Sequence, residues 1–280
     1  MKRVEQLAEQ LYIIDDYDFQ LSQRTGTYVL LGNDITLIET CSSPSVPYIL
    51  KGLHELNISL DTIKNIVVTH IHLDHAGAAG LLMEKCPNAT LYVHEQDAFH
   101  MMDPTKLIEG TKKVYGKLFE IFFSPIVPVQ EERICKVNNG DILPISPKRV
   151  LTFYEMPGHT KNHLCIYDSL TNGIFTGDTL GIYYRELKGL GVELYLPSTS
   201  PTQFQPEKML ESIERLKALQ IDYIFFGHYG ASTNVSEVYK QLESWISFFL
   251  NSGKEVVGRC NNPQKEDASF RFAESILSEL

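Results

Sequence analysis

The sequence predicts a layered α/β protein folded as one structural unit from two similar halves, and three observations carry that expectation. A short apolar run, NIVVT at residues 65–69, leads into HIHLDHAG, then an Ala- and Leu-rich segment, then a second β-rich run. That is the strand, helix, strand order of a βαβ unit. A later run, IDYIFFGHYG, repeats the theme of a buried strand that delivers a histidine at its end. Finally, 280 residues of which 43% are hydrophobic and 21% charged can bury a large core. Length alone allows two domains, but layered α/β folds of this size often form one.

The elements follow in order from local chemistry. Residues 28–31 and 35–39 are β-rich and flank the turn GND, which predicts a hairpin. Residues 47–56 predict a helix, 65–69 a strand buried on both faces, 76–85 a helix that stops near Pro87, and 91–94 the next strand. The histidines therefore fall at the carboxyl end of a buried strand, where open α/β sheets hold ligands. Between about 97 and 130, Leu107, Val114, Leu118, Ile121 and Phe122 recur at helical spacing before the Pro-broken FFSPIVPV. This stripe reads either as a helix packed on the core or as a helical cap over a pocket. From Val150, VLTFYEM and LCIYDSLTNGIFTGD restore strand and hairpin signals around the turn TNG. Pro206 suits the first turn of a helix over 207–220. C-terminal helices are expected over about 235–280, one at 235–250 and a last one in the tail from residue 266.

Charge and composition exclude several functions. A formal net charge of −10 gives no basic field for a phosphate backbone, so nucleic acid is not an expected partner. The start, MKRVEQLAEQLYIID, breaks any apolar core of a secretory signal with Glu5, Gln6, Glu9 and Gln10. No apolar run approaches the ~18 residues of a membrane span. The expectation is a cytoplasmic protein with a small-molecule substrate, with a homodimer left open as its assembly. Cys41, Cys86, Cys135, Cys165 and Cys260 form no CxxC pair and read as reduced, mostly buried thiols, with Cys41 in ETCSSP the one expected near a site.

The chemistry gathers at THIHLDHAG. His70, His72, Asp74 and His75 combine imidazole and carboxylate, the donor set of zinc and related divalent metals. Where the chain is extended, His70 and His72 point the same way and can share one metal. Asp74 and His75 lie in a turning segment and suit a second. Two coordination shells need more donors, and three candidates each follow a glycine and a β-rich run: His159 in MPGHT, Asp178 in FTGDT and His228 in FFGHYG. Glycine permits the turn and the close approach. His163, four residues after His159, reads as hydrogen-bonded support for a ligand. Tyr183, Tyr184 and Arg185 read as lining a substrate mouth or as a solvated loop. His54, His94 and His100 have no partner motif and read as surface or core residues.

HIHLDH, PGHT, TGD and GHYG, in that order, resemble the motif signature of the metallo-β-lactamase-fold hydrolases over roughly residues 25–230. The resemblance implies a four-layer αββα sandwich with a dinuclear centre at one edge of its sheets, and a single such domain over residues 1–280. It implies that His70, His72 and His159 bind a first metal and Asp74, His75 and His228 a second, with Asp178 bridging them. Two divalent ions are then expected, zinc first, with iron or manganese as alternatives. Metals about 3.5 to 4 Å apart can share a hydroxide at neutral pH, and Asp74, where one of its carboxylate oxygens stays free, is the expected catalytic residue that orients the hydroxide and takes its proton.

Departures narrow the family. Asp178 stands where class B1 β-lactamases have a cysteine, and class B3 enzymes lack this bridging carboxylate, which argues against antibiotic hydrolysis. Asp178 and His228 are only fifty positions apart, too close for the domain that RNA-processing members insert there. Gly181 stands where the similar quorum-signal lactonases carry a tyrosine. Lys254, Arg259, Lys265 and Arg271 match no glutathione-holding pattern of the glyoxalase II type. The expected activity is cleavage of a small ester, thioester or lactone. The alternative is an iron-dependent sulfur oxidoreductase resembling the persulfide dioxygenases, and a metal-binding scaffold without turnover is the third reading.

Overall fold

The protein is seen here as a computed structural model that describes residues 3–199 and 203–259 and the isolated positions 273, 276 and 278. Seven strands lie in the first sheet in the order in which they occur in the chain: β1 (Val4–Ala8), β2 (Leu11–Asp15), β3 (Gly26–Leu30), β4 (Ile35–Ile38), β5 (Ile63–Val67), β6 (Thr90–His94) and β7 (Ile134–Val137). The strands from β1 to β4 are antiparallel, whereas β4 to β7 pair in parallel and need crossovers. The chain then enters a second sheet as β8 (Ile142–Ser146), β9 (Arg149–Glu155), β10 (Leu164–Asp168) and β11 (Gly173–Phe175). It leaves for a short ribbon of β12 (Ile182–Tyr183) and β13 (Tyr195–Leu196), and returns as β14 (Tyr223–Phe225) and β15 (Ala231–Ser232). The order in this six-stranded sheet is β15-β14-β11-β10-β9-β8.

Alternation along the strands divides the core into layers, because successive side chains point to opposite faces. Ile13, Tyr28, Leu30, Ile38 and Val67 face inward and meet Leu151, Phe153, Leu164, Ile166, Phe175 and Phe225 of the second sheet. Their neighbours Ile14, Val29, Leu37 and Ile66 face outward, against Val46, Ile49 and Leu53 of α1 (Val46–Glu55). After the single turn α2 (Leu73–Ala76), Leu82 and Met83 of α3 (Ala79–Lys85) complete that outer layer. On the far side, Cys165, Ile174, Ile224 and Phe226 pack against two later helices, the ones spanning Pro206–Lys217 and Val235–Arg259. Helix, sheet, sheet and helix therefore stack as four layers, the αββα sandwich expected.

Several boundaries differ from the sequence reading. The helix predicted over 76–85 begins earlier, at Leu73, and is interrupted at residues 77–78, so Asp74 and His75 occupy a helical turn rather than a loop. The strand pair β1 and β2, and β7 and β8, were not foreseen, because each is short and two of them carry interior polar or proline residues. Residues 97–130 form α4 (Ala98–Met102), α5 (Thr105–Tyr115) and α6 (Phe119–Phe122). Packing on the core does not explain their apolar stripe: Val114 is 69% and Ile121 59% exposed, and α5 buries no residue. Leu107 and Phe122 instead join Phe19, Leu73, Phe119 and Phe123 in a separate cluster. The later helices are α7 (Pro206–Lys217) and α8 (Val235–Arg259), the latter longer than predicted. The helix expected from residue 266 falls almost wholly outside the described residues.

One buried ion pair ties the two sheets. Arg149 on β9 is fully buried and grips Asp168 on β10 through Nε (2.9 Å) and Nη2 (2.7 Å). Its Nη1 crosses to donate to the Gln10 carbonyl oxygen of the first sheet at 2.9 Å. Arg149→Met leaves Asp168 as an uncompensated buried anion, and urea unfolding is expected to show a loss of about 3 to 5 kcal/mol. A loss below about 1 kcal/mol in the same experiment contradicts the bridging part assigned to Arg149.

Candidate metal centre

All seven predicted donors converge at the ends of strands from both sheets. The segment after β5 bends at Thr69 and His70 and is extended at His72 (φ −60°, ψ 145°), which precedes the turn carrying Asp74 and His75. That turn is gripped from behind: the backbone N–H of Thr40 donates to the His75 carbonyl oxygen at 2.8 Å, and that of Ala78 to Cys41 at 3.0 Å. His159 follows β9, Asp178 follows β11 and His228 follows β14. Phenolic Tyr28 of β3 lies with its Oη 2.5 Å from the Phe226 carbonyl oxygen and 2.9 Å from that of Gly230, holding the turn that presents His228 to the first sheet.

Three overlapping groups result, each with its donor atoms within 4.8 Å of one another: His70, His72 and His159; His70, His75 and Asp178; Asp74, His75 and His228. The Asp178 carboxylate lies between them. Its Oδ1 is 3.2 Å from His75 Nε2 and 3.4 Å from His228 Nε2, while its Oδ2 is 3.4 Å from His159 Nε2. His159 Nε2 and His72 Nδ1 are 3.0 Å apart. Asp74 Oδ2 stands 3.9 Å from His75 Nε2 and 4.0 Å from His228 Nε2.

These residues fit a divalent ion. Tetrahedral bonds of about 2.0 to 2.1 Å separate donor atoms by roughly 3.3 Å, and the closest spacings here bracket that value. His70 Nε2, His75 Nε2 and Asp178 Oδ1 are buried and make no hydrogen bond. Buried polar atoms without partners are costly, and a cation is the partner that several facing lone pairs share.

The supporting residues fix which atoms face inward. His159 Nδ1 lies 2.9 Å from the Ser198 carbonyl oxygen, so it donates there and leaves Nε2 for a ligand; Thr69 Oγ1 lies 3.1 Å from His70 Nδ1. Ser198 also donates its hydroxyl to Asp178 Oδ2 at 2.6 Å. The Asp178 N–H donates to His163 Nε2 at 3.1 Å, and His163 Nδ1 meets Thr179 Oγ1 at 3.0 Å. His163 thus supports the donors rather than joining them. Gly177 has φ +46°, and a Cβ there would lie 2.4 Å from Thr69 Oγ1 and 2.8 Å from His163. At Gly227 a Cβ would lie 2.7 Å from His75. The glycines of TGD and GHYG are therefore what lets Asp178 and His228 approach.

Electrostatics separates the imidazoles. Burial pushes His70 well below the usual histidine range and His72 down to about 4, helped by neighbouring imidazoles, His75 and His159 respectively. Burial acts the same way on His75 and His228, but the carboxylates of Asp178 and Asp74 outweigh it and raise both. Burial would raise Asp178, and His228, His75 and His159 overcome it and hold the carboxyl well below its ordinary value.

Other predicted residues divide. Tyr183 is buried in a stack with Tyr195 and Phe226, and Arg185 is spent on a bidentate pair with Glu5, so neither lines a mouth. Cys41 does lie beside the site, as a buried thiol whose pKa burial raises. Two residues escaped the sequence reading. The carboxylate of Glu39, buried at the end of β4, accepts the Thr69 N–H at 3.3 Å and sets Oε2 3.5 Å from His75 Nδ1; a carboxylate at a strand end was a usable signal. Ser198 gave none.

Residues 22–228 match the family model of the metallo-beta-lactamase superfamily. The chain belongs to that superfamily. Among its relatives is the metallo-beta-lactamase fold-containing protein ST1585 of Sulfurisphaera tokodaii, 26% identical over 178 residues, which are 61% of this chain and 62% of the relative. The solved structure of ST1585 covers 96% of this chain and 95% of its own, with a TM-score of 0.70 at 19% identity. A hydroxyacylglutathione hydrolase of Thermosynechococcus vestitus is 25% identical over 207 residues, 72% of this chain and 62% of that one. The chain thus spans less than two thirds of the length of both relatives. The fold is also shared with the rubredoxin oxygen:oxidoreductase of Desulfovibrio gigas, with a TM-score of 0.63 at 15% identity over 87% of this chain and 61% of that one. Among the described residues no helix is long and apolar enough to cross a membrane.

Asp178→Asn removes the charge shared by the groups, and equilibrium dialysis is expected to show metal affinity reduced by more than about 100-fold, above the range for a supporting residue. His163→Ala should weaken affinity by about 10- to 100-fold. A loss for His163→Ala equal to that of His159→Ala would move His163 into the donor set.

Proposed function

We propose that this protein is a dinuclear metal-dependent hydrolase that cleaves a small ester, thioester or lactone. The observation that carries the reading is the division of the Asp178 carboxylate, Oδ1 towards His75 and His228 and Oδ2 towards His159. His70, His72 and His159 would hold one ion, Asp74, His75 and His228 the other, and Asp178 both. Divalent ions bound there supply a nucleophile from water, by lowering its pKa from 15.7 towards about 7, and positive charge for the oxyanion that forms at an attacked carbonyl.

The protein's own residues do the rest. Asp74 is held ionised: burial would raise its pKa, and His75 and His228 outweigh burial. With 24% of its side chain exposed, against 3% for Asp178, it is the carboxylate of the cluster open to entering molecules. One oxygen can remain with His75 and His228 while the other accepts a proton from the attacking water. Ser198 and His163 keep Asp178 in place, and His159 is held by the Ser198 carbonyl oxygen. The relative named as a hydroxyacylglutathione hydrolase supports thioesters among the substrates.

Metal analysis of protein purified without added metal, with thioester, ester and lactone assays under air and under argon, tests the reading. About two zinc ions per chain and chelator-sensitive, oxygen-independent hydrolysis are expected. Iron with oxygen consumption would replace the hydrolase by an oxidoreductase, the reading that an imidazole and carboxylate set also accommodates.

The pKa directions give a pH prediction. Protons compete with metal for an imidazole, and they compete best where the metal-free pKa is raised. His75 and His228 are raised, whereas His70 and His72 are lowered, so on acidification below neutrality the group with Asp74 should release metal first. Cobalt(II)-loaded protein followed by visible absorption should bleach in two stages, the earlier one missing in His228→Ala. A single stage in both proteins contradicts this order.

A further inference from the structure

The loop between β2 and β3 reaches the rim of the site. Asp18 is buried there and both its oxygens are engaged, Oδ2 with Arg24 Nε at 3.0 Å and Oδ1 with the Ser42 hydroxyl at 2.7 Å. Arg24 is thus pinned by one edge of its guanidinium. Arg149 on Asp168 and Arg185 on Glu5 each use two nitrogens on their carboxylate, whereas Arg24, like Arg3 on Glu55, uses Nε alone. Among the described residues the terminal nitrogens of Arg24 have no such partner, and 32% of its side chain is exposed. A guanidinium set in this way offers a fork for another pair of oxygens.

The surroundings of Arg24 place that fork beside the metal groups. Its guanidinium lies 4.5 Å from the centre of the Phe19 ring, which stacks on Phe122 at 4.1 Å and meets Tyr115 edge-on at 6.2 Å. Phe19 and Phe122 pack in one cluster with Leu73, the residue between His72 and Asp74, and Tyr115 meets Phe123 of that cluster at 4.9 Å. Burial raises the pKa of the Tyr115 phenol, with Asp74 adding to the shift and Arg24 opposing it. Arg24 likewise opposes the burial-driven rise at Tyr184. Cation and aromatic rings therefore lie together beside the segment that carries Asp74.

We propose that Arg24 anchors a carboxylate of the substrate, so that the site takes esters, thioesters or lactones whose acyl part carries an anionic end next to an apolar stretch laid on Phe19 and Tyr115. The inference rests on the hydrolase reading for the reaction, but not for the binding. A carboxylate matches a single fork in two coplanar oxygens. With Asp18 directly behind Arg24, a dianionic phosphate finds too little positive charge.

Calorimetric titration of the metal-loaded protein with 4-phenylbutyrate and its neutral amide, 4-phenylbutyramide, tests the anchor. Wild-type protein should bind the acid at least about 10-fold more tightly than the amide, as expected for one charge-assisted pair. Arg24→Gln should reduce that ratio to near one. The double variant Arg24→Gln/Asp18→Asn removes the buried charge with its partner, which keeps the comparison valid if the single variant folds poorly, and it should show the same loss. An acid-to-amide ratio unchanged in both variants overturns the proposal and assigns the carboxylate to the metals. If no ester or thioester is hydrolysed yet the ratio still depends on Arg24, the anchor stands and the hydrolase reading falls.

Discussion

The carboxylate of Asp178 is the constraint around which the site is built. It is a buried anion whose neighbours are nearly all imidazoles, and one of its oxygens has no hydrogen bond of its own. Burying such a group costs several kcal/mol unless charge of the opposite sign is brought to it. The chain answers from every side: His75 and His228 at one oxygen, His159 and the Ser198 hydroxyl at the other, and His163 on the backbone N–H. Gly177 is the condition for all of these, because no side chain fits between Thr69 and His163.

The layers explain why donors so far apart in sequence meet. Parallel pairing of β4 with β5 and of β11 with β14 sends strand ends to the same side, one pair in each sheet. The packing between the sheets then sets the distance from the HIHLDH segment to Asp178 and His228. Tyr28 on one sheet, bonded to the turn of the other, and Arg149, reaching the opposite way, make that spacing a property of the whole sandwich rather than of the loops.

Much of this could be read from the sequence because metal donors demand particular side chains. Histidines and aspartates after glycines at the ends of β-rich runs are rare enough together that their convergence was foreseeable. The αββα layering followed from the family resemblance more than from the strands, since β1, β7 and β8 are too short or too polar to announce themselves. Ser198 was invisible because half of its part is played by a backbone carbonyl, which every residue has. Tyr183 and Arg185 looked like rim residues by position, yet a tyrosine stack and the acid Glu5 at the start of the chain claimed them. Residues 97–130 kept helical periodicity while turning much of it to solvent, and periodicity alone does not say what a stripe faces.

That helix α5 buries none of its residues has a bearing on how such a protein diversifies. Substitutions along it remove little core packing and touch no donor atom, so its sequence is free to drift at small cost to folding. It is nevertheless joined through Phe19 and Leu73 to the rim. Change can therefore accumulate on this stretch while the frame of histidines and aspartates beneath it is inherited intact.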